Sequence, residues 1–547
     1  MRELDRLTVE DYSTPSLLLM EAAASACLLA INTHFLGNLA GKKARILCGK
    51  GNNGGDGAAL ARALARAGIP TDVVLFGRVE ETKGDARTNF EIVRSIASFE
   101  AGSQVLSPPL SFIECDSVSS WEQIASPRQN YHLIVDALFG TGLSRPLEGI
   151  YLQVVQHLNL LRSARERASG ARPLIVSLDI PSGLNADNAE PIGEAVRADL
   201  TVTFTAPKPA NVLPPASHFC GKLNVANIGS PLALIESTET MLFLTEDEDA
   251  QEWLRQTRYE PDSHKNSHGH VLVVGGSRGY TGAAALCGDA AIRSGAGLVT
   301  IATPASAQAA VAASAMSEVI TTALAETDRG SVSDEAVDHA IGLASKATVL
   351  AIGPGLTAAD DRTRRFVNSV VARRAAPVII DADGLNCLAP WPNEIAGNQE
   401  YPIVITPHPG EMLRLIGASD MKALADRVTV VRGFATKHHV IVVLKGSRSL
   451  IGAPDGRVFV NPTGNPGLGK AGSGDTLTGL IASLAAQAVK RATGEESVLK
   501  ATIAALYIGG LAGDLAAQRI GMRTMVASDV REQFAGAVQS LNSDGEL

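Results

Sequence analysis

Three aspartates stand where a carboxylate can do chemistry. Asp136 and Asp179 each close an apolar run, LIVDA and LIVSLD, just before a glycine-bearing turn. A carboxylate there is partly desolvated and takes a partner: backbone amides, a cation or a substrate. With Asn53 and Ser182 on loops of the same kind, these residues could form an oxygen cage for a cation. Structural capping is the alternative. Asp475 follows Ala471-Gly472-Ser473-Gly474 and opens a helical pattern. Successive backbone N–H groups at a helix N-terminus make an anion hole. A carboxylate beside that hole can accept a proton from a hydroxyl attacking phosphorus. A lone Asp would more simply cap the helix, but the glycines around Asp475 and the preceding Asn465-Pro466-Gly467 favour a ligand. His408, between Pro407 and Pro409, is held in a rigid loop past another apolar run, whereas His268 and His270 read as solvated.

Two glycine loops invite comparison with phosphate-binding motifs. Gly49-Lys50-Gly51-Asn52-Asn53-Gly54 has GxGxxG spacing between a strand and a helix. The dinucleotide fingerprint also wants an acid at the end of the next strand, which here reads Leu75-Phe76-Gly77-Arg78. A tight strand–helix turn therefore competes with a dinucleotide site, although it leaves the polar cluster Asn52, Asn53 and Asp56 unexplained. Gly464 to Ala471 nearly fits a P-loop, but Ala471 replaces the magnesium-holding hydroxyl and a hairpin precedes the segment, so that reading is rejected. No His/Cys spacing suggests zinc, and no GxSxG elbow suggests a hydrolase.

The elements that must position these residues repeat one theme. Apolar runs at 45–48, 71–76, 132–136, 174–179, 200–205 and 222–228 alternate with turns and helical patterns. Continuous apolar strands of this kind predict a parallel sheet covered on both faces. The pattern breaks at the polar stretch 236–262 and restarts at 270–274, 298–302, 348–352, 378–381, 403–406 and 440–444. A hairpin turning at Asp455-Gly456 and two alanine-rich helices, 475–490 and 496–519, follow. The expected organisation is a domain over 1–235, a linker over 236–262 and a domain over 263–547. At 547 residues, 45% apolar and 19% charged, the chain can bury two cores. A net charge of −9 without a basic block argues against nucleic-acid or membrane-surface binding. Six scattered cysteines without a CxxC pair read as reduced and mostly buried. The charged start is no signal peptide, and the apolar segment Ser16 to Ile31 carries Glu21 and is too short to span a bilayer.

In chain order, the motifs resemble those of bifunctional NAD(P)H-hydrate repair enzymes. MRELDRLTVEDYSTPSLLLMEAAA, GKGNNGGDG, VDALFGTGLSRPLEG and SLDIPSGLNADN are similar to the epimerase part. GSRGYTGAAAL, AIGPGL, IIDADGLN, TPHPGEM, LKGSRSLI and NPGLGKAGSGDTLTG are similar to the ADP-dependent dehydratase part. The resemblance implies an α/β chain of two domains: an N-terminal Rossmann-like three-layer sandwich and a C-terminal ribokinase-like one. It implies that Asn52, Asn53, Gly54, Gly55 and Asp56, with Gly140, Thr141, Gly142, Leu143, Ser144, Arg145 and Pro146, bind the hydrated dinucleotide. Asp179 would contact the damaged ring as acid/base, and Asn53, Asp136 and Ser182 would ligate K+. In the second domain Ala283, Gly355, His408 and Asp475 would meet the hydrate, with Asp475 catalytic. Lys445, Gly446, Ser447, Arg448, Ser449 and Gly474 would hold the adenine nucleotide, ADP, with Mg2+. Gly469-Lys470 departs from the smaller residues expected in that loop.

The implied reaction converts a poor leaving group, hydroxide, into phosphate by transfer from ADP. NAD(P)H is restored and AMP and phosphate are released, while the epimerase supplies the accepted S form from the R form. The implied substrates are NADHX, NADPHX and ADP; the implied setting is cytoplasmic and homo-oligomeric, with no nucleic acid or membrane. A ribokinase-like small-molecule kinase carrying an N-terminal dinucleotide-binding module is the enzyme alternative. A non-enzymatic binding module is the other, and the joint presence of Asn53, Asp136, Asp179 and Ser182 disfavours it.

Overall fold

The computed structural model describes residues 2–101, 109–125, 131–166 and 172–542. The first residue of the amino-terminal domain and the last five of the carboxy-terminal one lie outside this set. The chain forms two compact units, Met1–Glu239 and Thr240–Leu547.

In the first unit seven strands form one sheet: β1 (Ala44–Cys48), β2 (Thr71–Leu75), β3 (Leu110–Glu114), β4 (Leu133–Ala137), β5 (Leu174–Leu178), β6 (Leu200–Phe204) and β7 (Lys222–Ala226). Their order is β3-β2-β1-β4-β5-β6-β7 and every pairing is parallel. This is the expected Rossmann-like order, extended by one strand. Alternate residues of β1 feed two cores. Ile46 packs with the helices Ser16–His34 and Asn52–Arg66, and Leu47 packs on the opposite face with Val154 and Leu158 of the helix Gly149–Glu166. Both faces of the sheet are thereby covered, which is why the strands read as unbroken apolar runs. The order reverses between β1 and β4, so a crevice opens at their carboxyl ends. The helix Asn52–Arg66 reaches the sheet closely because Gly57 lacks a side chain: a Cβ there would lie 2.7 Å from Ala137 Cβ and 2.9 Å from Cys48 Sγ.

The second unit carries β8 (Leu242–Leu244), β9 (His270–Val274), β10 (Leu298–Pro304), β11 (Ile320–Leu324), β12 (Val349–Ile352), β13 (Val378–Ile380), β14 (Ile403–Ile405), β15 (Ile441–Leu444), β16 (Leu450–Gly452) and β17 (Val458–Val460). The sheet order is β11-β10-β9-β12-β13-β14-β15-β16-β17-β8, parallel except around the β15–β16–β17 hairpins. The helices Ser473–Arg491 and Glu495–Ile520 run through its core. The second of these, like Ser16–His34 in the first unit, is long and apolar enough to cross a membrane, but its apolar residues pack inside the fold.

Residues 236–262, expected as a linker, contain structure that belongs to the second unit. Leu242–Leu244 adds β8 to the sheet edge beside β17, and the helix Asp247–Gln256 buries Ala250 and Trp253 in the core. A three-residue strand and a helix with two buried anchors are too short to show periodicity amid so much charge. All six cysteines are buried. Two histidines correct the sequence reading: His268 is buried and stacked on Tyr259, and His270 begins β9 with Nε2 against the Thr300 hydroxyl at 2.9 Å.

Candidate functional site

In the first unit a cavity of about 560 Å³ opens at the carboxyl ends of β1, β4 and β5. Asn52, Asn53, Asp56, Gly140, Thr141, Gly142 and Asp179 line it. Gly54 and Gly55 shape the helix start instead of facing the cavity: a Cβ on Gly54 would lie 1.8 Å from the Gly49 carbonyl oxygen. Leu143, Ser144, Arg145 and Pro146 do not line the cavity; Pro146 packs beside Gly193.

The three expected cation ligands behave differently from one another. The Asp136 carboxylate is fully buried and accepts the Ser182 hydroxyl at 2.6 Å, the Ser182 amide at 2.9 Å and the Ser177 hydroxyl at 2.8 Å. Ser182 Oγ in turn accepts the Phe139 amide at 3.0 Å. Burial still pushes the Asp136 pKa up, against these hydrogen bonds. Asp136 and Ser182 thus bind each other behind the cavity wall. Asn53 is 8% exposed, yet both polar atoms of its carboxamide lack a partner among the described residues. An orphaned buried amide is costly, so this is the position that calls for a ligand.

Asp179 directly follows β5 with φ +63°, a left-handed conformation that costs a non-glycine residue energy and clusters at functional sites. Its Oδ1 accepts the Lys208 ammonium at 2.5 Å and the Thr203 hydroxyl at 3.2 Å. Its Oδ2 lies 3.1 Å from where a Cβ on Gly140 would sit, and Asn53 lies 3.5 Å from the same point. A side chain at position 140 would therefore invade the space between them. Lys208, 4% exposed, also donates to Thr203 Oγ1 and the Phe204 carbonyl. Lys208 was not among the residues to which the sequence pointed. Its signal was a lysine between prolines, Pro207 and Pro209, immediately after an apolar strand. Asp5, from the first helix, also lines the cavity and was missed.

In the second unit Asp475 lies in the first turn of the helix Ser473–Arg491, whose N-cap is Gly472 without any side-chain cap. Capping therefore does not account for Asp475. Burial and the nearby Asp381 carboxylate push its pKa up to about 7, with Lys445 pulling the other way. The Lys445 ammonium pairs with Asp381 Oδ1 at 2.7 Å and lies 3.9 Å from Glu411. Asp381 Oδ2 accepts the Thr478 hydroxyl at 2.8 Å. Burial opposes the Asp381 charge, but Lys445 and the threonine hydroxyls outweigh it and hold the carboxyl below its usual range. A Cβ on Gly474 would sit 3.4 Å from both Asp381 Oδ2 and Lys445 Nζ, so the bare helix start faces this pair.

Ala283 and Gly355 meet: a Cβ on Gly355 would lie 3.1 Å from Ala283 Cβ. His408 caps the helix Pro409–Leu415, its Nδ1 accepting the Gly410 and Glu411 amides, which leaves Nε2 as the protonated nitrogen of the neutral ring. Desolvation, Lys445 and Arg414 lower its pKa. Lys445 to Ser449 link β15 to β16, with Gly446 and Ser447 exposed and Ser449 Oγ bonded to the Gly446 carbonyl. Lys470, the departure noted above, turns away from the site and caps the carbonyls of Met522, Arg523 and Met525. Asp381 and Glu411 had not been singled out from the sequence.

Two family models match the chain: "YjeF-related protein N-terminus" over residues 16–210 and "NAD(P)H-hydrate dehydratase" over residues 271–535. The bifunctional NAD(P)H-hydrate repair enzyme of Moorella thermoacetica is 39% identical over 548 residues, covering 100% of this chain and 97% of the relative. That of Thermofilum pendens is 35% identical, covering 99% and 96%. Among solved structures, the ADP/ATP-dependent NAD(P)H-hydrate dehydratase of Bacillus subtilis, co-crystallised with ATP/Mg2+, is 27% identical with a TM-score of 0.45. It covers 56% of this chain and 100% of that one.

Proposed function

This chain belongs to the bifunctional NAD(P)H-hydrate repair enzymes, and we propose that its two units divide the work at the residues described above. The first unit epimerises the R and S forms of hydrated NAD(P)H, and the second dehydrates the S form. The hydrated ring carries its hydroxyl on the carbon beside the ring nitrogen, because water adds to an enamine there. In the second unit the anion-binding helix start at Gly474 and the loop Lys445 to Ser449 receive the nucleotide. Ala283, Gly355 and His408 receive the hydrate. Asp475 takes the proton of the hydrate's hydroxyl as its oxygen attacks phosphorus. Phosphate then departs with the electron pair of the carbon–oxygen bond, the neighbouring ring carbon loses a proton to solvent so that the double bond re-forms, and AMP and phosphate are released. The observation that carries this reading is the Asp475 carboxyl, held near neutrality beside a bare helix start and a buried Lys–Asp pair.

ADP is the proposed phosphoryl donor. Mg2+ enters on its phosphates, since the described residues contain no cluster of three His, Cys, Asp or Glu side chains that could hold a metal. K+ fits the first unit: Asn53 offers an orphaned carboxamide oxygen, and a monovalent ion would favour the charged form of the buried Asp136, joined to Ser182, against the burial that raises its pKa. Asn53, Asp136 and Ser182 would hold it, and it would supply order to the loops around the dinucleotide. A cytoplasmic setting and self-association complete the proposal.

The test is to incubate the full chain with mixed R and S hydrate, with and without ADP. Without ADP the epimers should interconvert and nothing more. With ADP both should be consumed, with reduced nicotinamide absorbance rising and AMP and phosphate appearing together. Appearance of a stable phosphorylated product without NAD(P)H would overturn the reading in favour of a kinase.

A further inference from the structure

The cavity of the first unit holds more acid than its expected chemistry uses. Asp5, Asp56, Asp85 and Asp179 line it against two lysines, Lys50 and Lys208. Each lysine is already engaged: Lys50 with Glu81 at 3.2 Å and Lys208 with Asp179 at 2.5 Å. Asp5 and Asp56 face the cavity with no hydrogen-bond or ion-pair partner among the described residues. Asn53, one turn before Asp56 on the same helix, is a third side chain without a partner on this wall. Three polar side chains without a protein partner around one cavity, Asn53 among them fully orphaned, mark a surface suited to a ligand.

Epimerisation at the hydrated carbon needs a proton on the departing hydroxyl and a base for the incoming water. Of the two carboxyls closest to this task, Asp179 is ion-paired with the Lys208 ammonium. Asp56 has no ion-pair partner among the described residues, and burial with two acidic neighbours outweighs the Lys208 ammonium, which favours the protonated acid. We propose that Asp56 is the proton donor of the epimerisation, and that Asp179 is the base opposite it. This inference rests on the epimerase reading of the first unit.

The step balances without any further reagent. The carbon–oxygen bond breaks with its electron pair on oxygen, which takes the Asp56 proton and leaves as water. The ring nitrogen lone pair forms the carbon–nitrogen double bond, so the ring becomes cationic. Water adds to the other face of that carbon and gives its proton to Asp179. The electron pair returns to nitrogen, proton exchange with solvent resets the two carboxyls, and nothing is oxidised or reduced. The surplus of carboxyls over free ammonium groups suits a site that must hold a cationic ring. The environment of Asp56 supports the donor role: burial, Asp179 and Asp5 push its pKa well above the carboxylate range, with Lys208 opposing.

The second unit uses the same device with the roles reversed. There one aspartate, the buried Asp381, is paired with the half-buried Lys445, and a second, Asp475, stands unpaired in the first turn of a helix. Paired and unpaired carboxyls side by side are how environments push two acids apart for acid and base work.

The experiment follows conversion of a pure epimer, above the enzyme-free rate, by the full chain and its variants. Dehydration of the S form with ADP serves as the internal control for folding. Asp56→Asn should lower kcat for epimerisation on the order of 100- to 10,000-fold, with a KM for the hydrate that changes little. Asp5→Asn should leave a working enzyme whose basic pH limb moves to lower pH. The donor must be protonated, so activity is lost as pH rises through its pKa, and removing Asp5 lowers that pKa. Epimerisation by Asp56→Asn within tenfold of wild type, or a basic limb that Asp5→Asn does not move, would overturn the inference. A wild-type chain that leaves a pure epimer unchanged would remove the epimerase reading itself, and the inference with it.

Discussion

Replacing Asp475 by Asn keeps the shape of the side chain and removes both its charge and its proton affinity. Its pKa of about 7, raised by burial and by Asp381, leaves the wild-type carboxyl roughly half ionised at neutral pH. As a base it works only when ionised, so dehydration should rise with pH through about 7. Losing the base should cost on the order of 100- to 10,000-fold in rate, while ADP affinity changes little. Stability should move the other way. The folded pKa lies above the ordinary value, so the contribution of this carboxyl to stability is fully present below pH 3.8 and is lost as pH rises through the window to about 7. That shift corresponds to roughly 4 kcal/mol at 1.36 kcal/mol per unit, an upper bound for a side chain that still meets some solvent. Asp475→Asn should therefore be the more stable protein above pH ~8, up to that bound. Rates of NAD(P)H recovery from pure S hydrate, and urea midpoints at acid and alkaline pH, measure both effects. Asp381→Asn adds a directional check. It removes the like charge and frees Lys445, so the acid limb should move below 7. Dehydration by Asp475→Asn within tenfold of wild type, or an acid limb unmoved in Asp381→Asn, would refute the assignment.

Other consequences follow from the same geometry. Lys445→Met strands the Asp381 carboxylate without its ammonium and should cost about 3–5 kcal/mol in denaturant unfolding; adding Asp381→Asn should recover most of the stability and none of the activity. Asn53→Ala removes an orphaned amide, so in potassium-free buffer its Tm should not fall, whereas the K+-dependent rise in Tm seen for wild type should vanish. The fragment 1–239 has its own sheet and both of its cores. It should fold alone and interconvert the hydrate epimers without nucleotide, as chromatography of the two epimers over time would show.

What the sequence disclosed and what it hid divide along a physical line. Strand ends, glycine loops and the carboxyls beside them are local patterns, and they marked Asp179, Asp475, Asn53 and the cavity-lining glycines. The two-sheet architecture was equally legible, because buried parallel strands are continuous apolar runs. The edge strand at Leu242–Leu244 was not, since three apolar residues within a charged stretch carry no period. The partners that set the chemistry also escaped. Lys208 lies 29 positions from Asp179, Lys445 lies 64 from Asp381, and Thr478 lies 97 from Asp381. Nothing in a single sequence says which lysine will meet which carboxylate.

These meetings decide the protonation states. In each unit a lysine just past a strand end neutralises the aspartate at the end of another strand, and a second aspartate on a glycine-started helix is left without a counter-ion. The lysine gives the first a counter-ion, and desolvation with like-charge repulsion raises the pKa of the second. A motif can name both aspartates, but only the fold shows which one has the lysine. In the proposed roles the same pair of environments serves opposite ends of the repair: Asp56 would release a hydroxyl as water in one unit, and Asp475 would arm that hydroxyl against phosphorus in the other.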